Sequence, residues 1–305
     1  MPSALRDAVA AGGSGRSAWL EELPGHVEHL IERWGLVLED PFEPGGQCSW
    51  VAPGVDRDGR EVVLKVAWAH SEALHEADGL SALGGRSAVE VYEVAHFAPN
   101  ERATRSHPVL GGTTAMLLER CRPGERLRDR PEAEQHPIIV DLLRSAWATE
   151  LPPDHPFRPL STMADDWVAS AEARLGGRPG LLDPGVARDG LTLFVDLARP
   201  QADDVLLLTD LHAGNVLSSR RHRWLVIDPK PYVGDRHYDV TQHLLNCATS
   251  LQSNPVRLMS AIADRAGLDA SRLRHWLFAR CVQEILSDAE HWPGLDTVLP
   301  RLRPG

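Results

Sequence analysis

The chain has 305 residues and a formal net charge of −11, and hydrophobic residues make up 43% of it. This length is ample for a large core divided between two lobes, and the apolar fraction is too high for a disordered chain. The acidic balance argues against nucleic acid or an anionic membrane as the main partner, and it suits a cationic small molecule.

The first 120 residues are predicted to form a β-rich lobe with one main helix, and flexibility is allowed in residues 1–20. Short runs rich in Val, Leu and Trp, separated by Pro, Gly and Asp turns, indicate strands at 36–39, 48–52, 61–67, 88–97 and 114–119. A helix is predicted from an N-cap at Ser71 to about Leu83, where two glycines follow it.

Residues 121–305 are predicted to form a mainly helical lobe, which begins with a connector at 122–125. Apolar residues at helical spacing indicate helices at 132–149, 161–175, 185–198, 239–247, 255–266 and 270–288. A strand-like interruption at 204–228 contains two apolar runs around a polar turn, which predicts a hairpin.

The four cysteines lie far apart and show no zinc-like spacing with histidine, at Cys48, Cys121, Cys247 and Cys281. Free thiols in a reducing cytosol are the default for this pattern. The N-terminus lacks the apolar run of a signal peptide, and no stretch approaches the roughly 18 apolar residues of a membrane span. We therefore predict a cytoplasmic protein, and we expect it to act as a monomer.

The segment 209–217 carries the strongest chemical signal. Asp210 and Asn215 stand in D-x-x-x-x-N spacing directly before the predicted hairpin, and Asp228 follows its return strand. The hairpin should bring Asn215 and Asp228 side by side, where their hard oxygen atoms suit Mg²⁺ on a triphosphate. Asp210 is then the candidate base that orients a hydroxyl group and accepts its proton in phosphoryl transfer. The spacing alone also occurs in helix caps and turns, so the hairpin and the second Asp carry this prediction.

Only two of the 32 basic residues are lysines, Lys65 and Lys230. This indicates either codon bias or two positions that need an ammonium group. Lys65 lies within an apolar strand. It is either a charge on an edge strand or a ligand of the α- and β-phosphates of ATP. The helix that follows offers Glu76 as its first candidate partner and Glu72 as the alternative, although either could belong to a solvated helix face.

Two further segments are candidates for contact with the nucleotide. Gly45 and Gly46 lie between the first two strands, where their backbone N–H groups could approach phosphates, although an ordinary hairpin turn fits nearly as well. Glu119, Arg120 and Cys121 stand where the last strand becomes the connector, the place at which an adenine would meet backbone.

Candidate substrate-binding groups lie on the helices of the second lobe. Carboxylates there would hold a polycationic substrate, and an aromatic ring would face a cation or a sugar. These candidates are Asp165, Asp166, Trp167, Glu284, Asp288 and Glu290. For each of them a solvated helix face is the more ordinary alternative.

Three motifs resemble the aminoglycoside phosphotransferase and choline-kinase-like superfamily: D-L-H-A-G-N-V-L at 210–217, I-D-P-K-P-Y-V-G-D at 227–235 and Y-D at 238–239. Within it they are most similar to the streptomycin 6-phosphotransferase and hydroxyurea phosphotransferase group, over residues 35 to 290 approximately. The resemblance implies an α+β, bilobal protein-kinase-like fold. It also implies phosphorylation of a small-molecule hydroxyl with ATP and Mg²⁺.

By position, the resemblance implies a role for particular residues. Lys65 and Glu76 match the phosphate-binding pair of the superfamily. Asp210 matches its catalytic base, and Asn215 and Asp228 match its metal ligands.

Other residues around the catalytic segment match the family less directly. Asp235 and Asp239 match acidic positions that brace the loop, with helix capping by Asp239 as the alternative. Lys230 belongs to the family signature and would either touch phosphate or brace the loop. The usual His-Gly before the catalytic Asp is replaced by Leu208-Thr209, which puts the loop geometry in question. The protein-kinase motifs H-R-D, D-F-G and A-P-E find no match, which argues against a protein substrate.

The leading hypothesis is an ATP-dependent kinase of an aminoglycoside, streptomycin at its 6-hydroxyl, that confers resistance. The same chemistry on another hydroxylated metabolite or antibiotic, of the hydroxyurea type, is the close alternative. A non-catalytic nucleotide-binding scaffold and an ATP-independent binding protein are the hypotheses from other classes.

Overall fold

The protein is described by a computed structural model that covers residues 1–11, 14–98, 111–177, 182–288 and 292–303. The chain divides into two compact units, Met1–Gly124 and Glu125–Gly305. An antiparallel sheet dominates the first unit and helices dominate the second, so the expected α+β class is confirmed. Within the described residues, no helix has both the length and the apolar character needed to cross a membrane.

The first unit contains three helices and five strands among its described residues. In chain order they are α1 (Ser3–Ala11), α2 (Ser14–Trp34), β1 (Val37–Leu38), β2 (Ser49–Val55), β3 (Glu61–Trp68), α3 (Glu76–Ala82), β4 (Val91–Phe97) and β5 (Thr113–Glu119). The sheet order is β1-β2-β3-β5-β4, and each pair of neighbours is antiparallel. Strand β3 is therefore an interior strand, and the interpretation of Lys65 as an edge-strand charge is wrong.

Helices α1 and α2 occupy the segment for which the sequence only allowed flexibility. Trp19, Leu23 and Leu30 of α2 are buried in one cluster with Val62, Leu64 and other residues of the sheet. Burying each such side chain contributes about 1.5–3 kcal/mol. Because Pro24 lies inside α2 and proline lowers helix propensity, the apolar packing against the sheet explains this helix better than its local sequence does.

The helix predicted to begin at Ser71 begins later. Residues Ser71–Ala73 form a separate 3₁₀ turn, whose N-cap position is His70, and α3 starts at Glu76. The N-cap prediction for Ser71 is therefore wrong. Helix α3 starts at the residue whose carboxylate pairs with Lys65, so a tertiary contact coincides with its first turn.

The second unit is mainly helical, and the strand β6 (Pro123–Arg126) spans the boundary between the two units. The remaining elements, in chain order, are α4 (Glu132–Trp147), α5 (Leu160–Gly177), α6 (Pro184–Leu197), β7 (Val205–Leu207), β8 (Val216–Ser219), β9 (Trp224–Val226), β10 (Tyr232–Gly234), α7 (Arg236–Asn246), α8 (Ala248–Ser253), α9 (Pro255–Ala266), α10 (Ala270–Asp288) and α11 (Leu295–Leu302). The six predicted helices correspond to α4, α5, α6, α7, α9 and α10 with ends shifted by at most three residues, whereas α8 and α11 were not predicted.

Two small sheets position the polar loops of the second unit. The predicted hairpin is confirmed, because β8 pairs with β9 in the register Val216 to Val226. Strand β10 pairs with β7, with Tyr232 opposite Leu207. The loop 208–215 therefore runs from β7 to β8, and the loop 227–231 runs from β9 to β10. Both loops connect the same two sheets, which brings them side by side.

Candidate active site

Lys65 of the first unit forms a buried ion pair with Glu76. Its Nζ donates hydrogen bonds to Oε1 at 2.6 Å and to Oε2 at 2.8 Å. The two residues are only 7% and 3% exposed. A pair removed from water in this way is held by short charge-assisted bonds that compensate the cost of desolvation. The side chain of Glu72, the alternative partner, lies outside the described part of the structure.

The direction of the Lys65 side chain follows from strand alternation. Val62, Leu64 and Val66 are buried in the cluster that includes α2, and successive side chains of a strand point to opposite faces. Lys65 therefore points to the other face of the sheet, where α3 supplies Glu76. Val51 and Met116 flank Lys65 on the neighbouring strands.

The two glycines proposed near the phosphates lie in the loop between β1 and β2. Gly45 has φ +77°, and a Cβ there would lie 2.6 Å from Cβ of Pro2. A Cβ on Gly46 would lie 2.8 Å from Oγ of Ser49. Gly45 therefore requires glycine for space and for its backbone conformation, whereas at Gly46 a side chain would displace the hydroxyl group of Ser49. Their contact with phosphates stays a prediction.

The end of β5 is pinned to neighbouring strands and loops of the first unit. Arg120 donates two hydrogen bonds to the carboxylate of Glu39, at 2.5 and 3.0 Å, and this bond raises the pKa of Arg120. The Oε2 atom of Glu119 accepts from the backbone N–H of Glu90 at 3.1 Å, and Cys121 is buried. The guanidinium of Arg120 is thus already paired, and a nucleotide role for 119–121 stays a prediction about their backbone.

In the second unit, two side chains hold the carboxylate of Asp210. Nζ of Lys230 lies 2.7 Å from Oδ2, and Nε2 of Gln242 donates to Oδ1 at 2.9 Å. The side chains of Lys230 and Asp210 are 26% and 20% exposed. Each carboxylate oxygen thus accepts from one side chain among the described residues, and a carboxylate oxygen has a second lone pair for a further partner.

Asn215 and Asp228 lie at the same end of the hairpin. The backbone N–H of Ile227 donates to the carbonyl of Asn215 at 2.9 Å, one residue beyond the paired strands, and Asp228 is the next residue. The Nδ2 atom of Asn215 donates to the carbonyl of Asp210 at 3.1 Å. The side-chain oxygen of Asn215 and the carboxylate of Asp228 are hard oxygen donors of the kind that bind Mg²⁺.

The Leu208-Thr209 departure from the family pattern has a structural explanation. Thr209 has φ +37°, a conformation that glycine adopts more easily than a β-branched residue. Its Oγ1 donates to the carbonyl of Lys230 at 2.6 Å, and its backbone N–H donates to Asp239 at 2.8 Å. These bonds hold a threonine where the family usually has glycine, and they tie the two polar loops together.

Asp239 lies beneath the catalytic loop and is fully buried. Its carboxylate accepts hydrogen bonds from the backbone N–H groups of Leu208 and Thr209 and from Nε1 of Trp147. Burial raises the pKa of Asp239 to about 6, although these donors oppose the shift. Its contacts thus go to the loop backbone.

Asp235 is the N-cap residue of α7, which makes the alternative of capping by Asp239 wrong. Its Oδ1 accepts from the backbone N–H of His237, and its Oδ2 accepts from Trp276 and Arg272. Burial raises the pKa of Asp235, but the donated hydrogen bonds outweigh burial and hold it well below its usual range. The contacts that hold Asp235 go to helices, so a bracing role on the catalytic loop stays a prediction.

A relay that the sequence did not indicate joins Asp210 to α10. Gln242 accepts a hydrogen bond on Oε1 from Nη2 of Arg280 at 2.9 Å. The same nitrogen lies 2.6 Å from Oε1 of Glu284. Arg280 is 1% exposed, and its guanidinium carbon lies 4.8 Å from the centre of the Trp167 ring.

This relay involves two of the candidate substrate-binding residues. It brings Trp167 and Glu284 together, but Arg280 covers the ring and neutralises the carboxylate. Asp165 and Asp166 are exposed on α5. The side chain of Asp288 and the whole of Glu290 lie outside the described residues. A sequence signal for Arg280 did exist, since an arginine inside the apolar run 276–282 is rarely buried without partners.

A sheet with a buried Lys–Glu pair, together with a helical unit that has Asp210 and Asn215 in one loop and Asp228 in the next, is the pattern of a protein-kinase-like phosphotransferase. The chain belongs to the aminoglycoside/hydroxyurea antibiotic resistance kinase family, whose model matches residues 33–290. The resemblance seen in the motifs is thereby confirmed. The protein is an enzyme, a kinase that acts on hydroxyl groups.

Individual relatives agree with this assignment. The chain is 30% identical to a hydroxyurea phosphotransferase of Kitasatospora aureofaciens over 92% of its own length and 77% of that protein. It is 28% identical to a streptomycin 6-kinase of Streptomyces glaucescens, over 95% of its length and 90% of that protein. Among solved structures, an amicoumacin kinase in complex with AMP-PNP and Ca²⁺ has a similar fold, with a TM-score of 0.61, 14% identity, and coverage of 94% of this chain and 93% of that one.

Proposed function

We propose that the protein transfers the terminal phosphoryl group of ATP to a hydroxyl group of a small-molecule antibiotic, with Mg²⁺. The observation that carries the proposal is the carboxylate of Asp210, which Lys230 and Gln242 hold on opposite oxygens. A carboxylate fixed in this way, with a lone pair remaining on each oxygen, is suited to orient a hydroxyl group and accept its proton.

The other residues have roles that their chemistry supports. Lys65, fixed by Glu76, presents a compact ammonium group for phosphate oxygens. Asn215 and Asp228 would hold Mg²⁺ through oxygen atoms, and the donor set fits this ion. When bound, the ion would neutralise charge on the phosphates. Asp239 and Thr209 keep the loop of Asp210 in place through the hydrogen bonds given above.

Lys230 acts on Asp210 in this proposal. The sequence left two roles open for it, contact with phosphate and support of the loop. Its Nζ lies 2.7 Å from the candidate base, and its backbone carbonyl accepts from Thr209. Both contacts support the second role, in which Lys230 is a positioning residue that sets the orientation of the Asp210 carboxylate.

Streptomycin, at its 6-hydroxyl, is our first candidate substrate, and antibiotic resistance is the corresponding biological role. The similarity to a streptomycin 6-kinase, the D-P-K-P motif at 228–231 and the net charge of −11 support it. A cationic substrate gains from an acidic protein because the summed field attracts it.

Hydroxyurea is the second candidate, and two observations favour it. The relative with 30% identity is a hydroxyurea phosphotransferase. Arg280 also neutralises Glu284 and covers one face of Trp167, so these two residues offer less to a polycation than the sequence indicated. A small neutral substrate does not need them.

The test is parallel turnover with the two substrates. Purified protein with Mg·ATP and either streptomycin or hydroxyurea is assayed for ADP release and for a phosphorylated product by mass spectrometry. We expect product with streptomycin, none with Asp210→Asn, and unchanged rates with the control Asp196→Asn, since Asp196 is exposed on α6. Product with hydroxyurea alone would favour the second candidate, and product with neither would reject both.

A thermal shift separates the enzyme from the other two classes. Mg·ATP should raise the melting temperature of a kinase or of a nucleotide-binding scaffold, but not that of an ATP-independent binding protein. A scaffold would show this shift and release no ADP with any substrate. Nucleotide-dependent stabilisation together with turnover is the result that we expect.

A further inference from the structure

Three potential metal ligands meet where α4 packs against α7 in the second unit. His136 comes from α4, His243 from α7, and Cys247 from the residue that ends α7. Nδ1 of His136 lies 2.9 Å from Nε2 of His243, and Sγ of Cys247 lies 3.7 Å from that same nitrogen. One ligand atom from each residue lies within 4.8 Å of the others.

The cluster is shielded from water. His243 and Cys247 are each 1% exposed, and His136 is partly buried. Burial lowers the pKa of His136, and burial together with the neighbouring His136 and His212 lowers that of His243 to about 3. Neutral imidazole is the form that binds a metal.

Two of the three distances between ligand atoms can be compared with those of a tetrahedral zinc site. Zinc bonds of about 2.05 Å to nitrogen and 2.3 Å to sulfur place two nitrogens about 3.3 Å apart and a nitrogen and a sulfur about 3.5 Å apart. The observed 2.9 and 3.7 Å differ from these by a few tenths of an ångström. Sγ of Cys247 also lies 3.9 Å from Nδ1 of His243, so the two side chains must rotate relative to one another when the ion binds. We propose that His136, His243 and Cys247 form a binding site for Zn²⁺.

The ligand set and its surroundings suit this ion. Imidazole and thiolate are the ligands that zinc prefers in proteins. Glu132 stands one turn before His136 on α4 and interacts electrostatically with both His136 and Cys247. It is held by a hydrogen bond from Ser250. The fourth position is open to its carboxylate or to a water molecule.

Binding costs one proton. The thiolate is the form that binds a metal, so the Cys247 thiol would lose its proton to solvent as the metal–sulfur bond forms. The ion would join α4 to α7, and α7 also carries Asp239 and Gln242, which contact the loop and the carboxylate of Asp210. The site thus supports the catalytic loop and takes no part in phosphoryl transfer.

The test uses Co²⁺ as a spectroscopic substitute for Zn²⁺ on the full chain after removal of metals by a chelator. One equivalent of Co²⁺ should produce a thiolate-to-cobalt charge-transfer band and the intense visible bands of tetrahedral coordination, and Zn²⁺ should displace both. Zn²⁺ at a hundred times its dissociation constant should raise the melting temperature by about 5 °C. None of these readouts depends on turnover, so they are independent of the proposed activity.

Matched variants complete the test. Cys247→Ala and His136→Gln should each weaken Zn²⁺ binding at least 100-fold, and Cys247→Ala should lose the charge-transfer band. Cys281→Ala should keep both, because Cys281 is an equally buried thiol on α10. The absence of a thiolate band in the wild type, or a band that survives in Cys247→Ala, would overturn the proposal. The wild-type spectrum decides even if a variant does not fold.

Discussion

Each unit of the chain holds one of the two lysines, and the two are held differently. Lys65 lies in an interior strand, is 7% exposed and gives both of its described bonds to one partner, Glu76. Lys230 lies in a loop, is about a quarter exposed in its side chain, and bonds to Asp210, the candidate base itself. The first pair joins an interior strand to the helix that follows it, whereas the second includes the candidate base.

This difference separates two ways of using an ammonium group. A buried pair keeps a charge at a fixed point of the sheet, ready for phosphate oxygens, and its geometry is set before any ligand arrives. A lysine that is about a quarter exposed and pairs with the candidate base fixes the orientation of that carboxylate while leaving it accessible. We therefore expect variants at Lys65 to change nucleotide binding and the free energy of unfolding. Variants at Lys230 should instead change the rate of the chemical step.

The largest effect is expected from Asp210→Asn, which removes the base from the second region and leaves the first intact. We expect kcat to fall by about 10³-fold, in the range for loss of a general base. The dissociation constant for ATP should stay within about twofold of the wild-type value, because Asp210 acts on the hydroxyl group of the substrate. Single-turnover kinetics and nucleotide titration measure the two quantities, and unchanged ATP consumption would refute the mechanism.

Lys65→Ala should have the second-largest effect, and this effect should fall on the use of ATP and on stability. The loss of a positioned cation should lower kcat/KM for ATP by about 10²-fold. Glu76 would be left buried without this ammonium partner, which should destabilise the protein by about 3–5 kcal/mol. Urea unfolding and ATP kinetics measure both effects.

The matched control for that prediction is Lys65→Arg, which keeps the charge but replaces the compact ammonium with a planar fork. We expect partial recovery of stability and incomplete recovery of activity. A variant with wild-type kinetics would show that the position needs only a positive charge.

Lys230→Met should have a smaller effect, confined to the chemical step. Asp210 loses the donor on Oδ2 and keeps Gln242 on Oδ1, so kcat should fall by about 10-fold. The dissociation constant for ATP should change by less than about twofold. A raised dissociation constant for ATP with unchanged kcat would instead assign Lys230 to the phosphates and remove the contrast between the lysines.

The smallest expected effect concerns Thr209, which ties the loop of Lys230 to that of Asp210. Thr209→Val keeps the β-branched shape at φ +37° but loses the bond from Oγ1 to the carbonyl of Lys230, which should cost about 1–2 kcal/mol. Thr209→Gly loses the same bond but relieves a backbone strain of about 1–2 kcal/mol. We therefore expect glycine to be tolerated better than valine in urea unfolding, and the reverse order would refute the strain argument.

The elements predicted from the sequence were those with a strong local pattern. The helix at 255–266 has the same bounds in the structure, Pro255–Ala266, because proline and a left-handed glycine mark its two ends. The hairpin of β8 and β9 followed from two apolar runs around a polar turn. Helix α2 was missed because Pro24 and Gly25 interrupt its pattern, and its burial against the sheet, which stabilises it, is a tertiary effect.

The sequence by itself determined the family and the pairing of Lys65 with Glu76, and it predicted the roles of Asp210, Asn215 and Asp228. These depend on residues close in the chain: Lys65 and Glu76 are 11 positions apart, on a strand and the next helix. Only the tertiary structure decided the relay from Gln242 to Arg280 and the meeting of His136 with His243, which is 107 positions away. Contacts between distant helices leave no periodic pattern or fixed spacing in a sequence, because they depend on how whole elements pack.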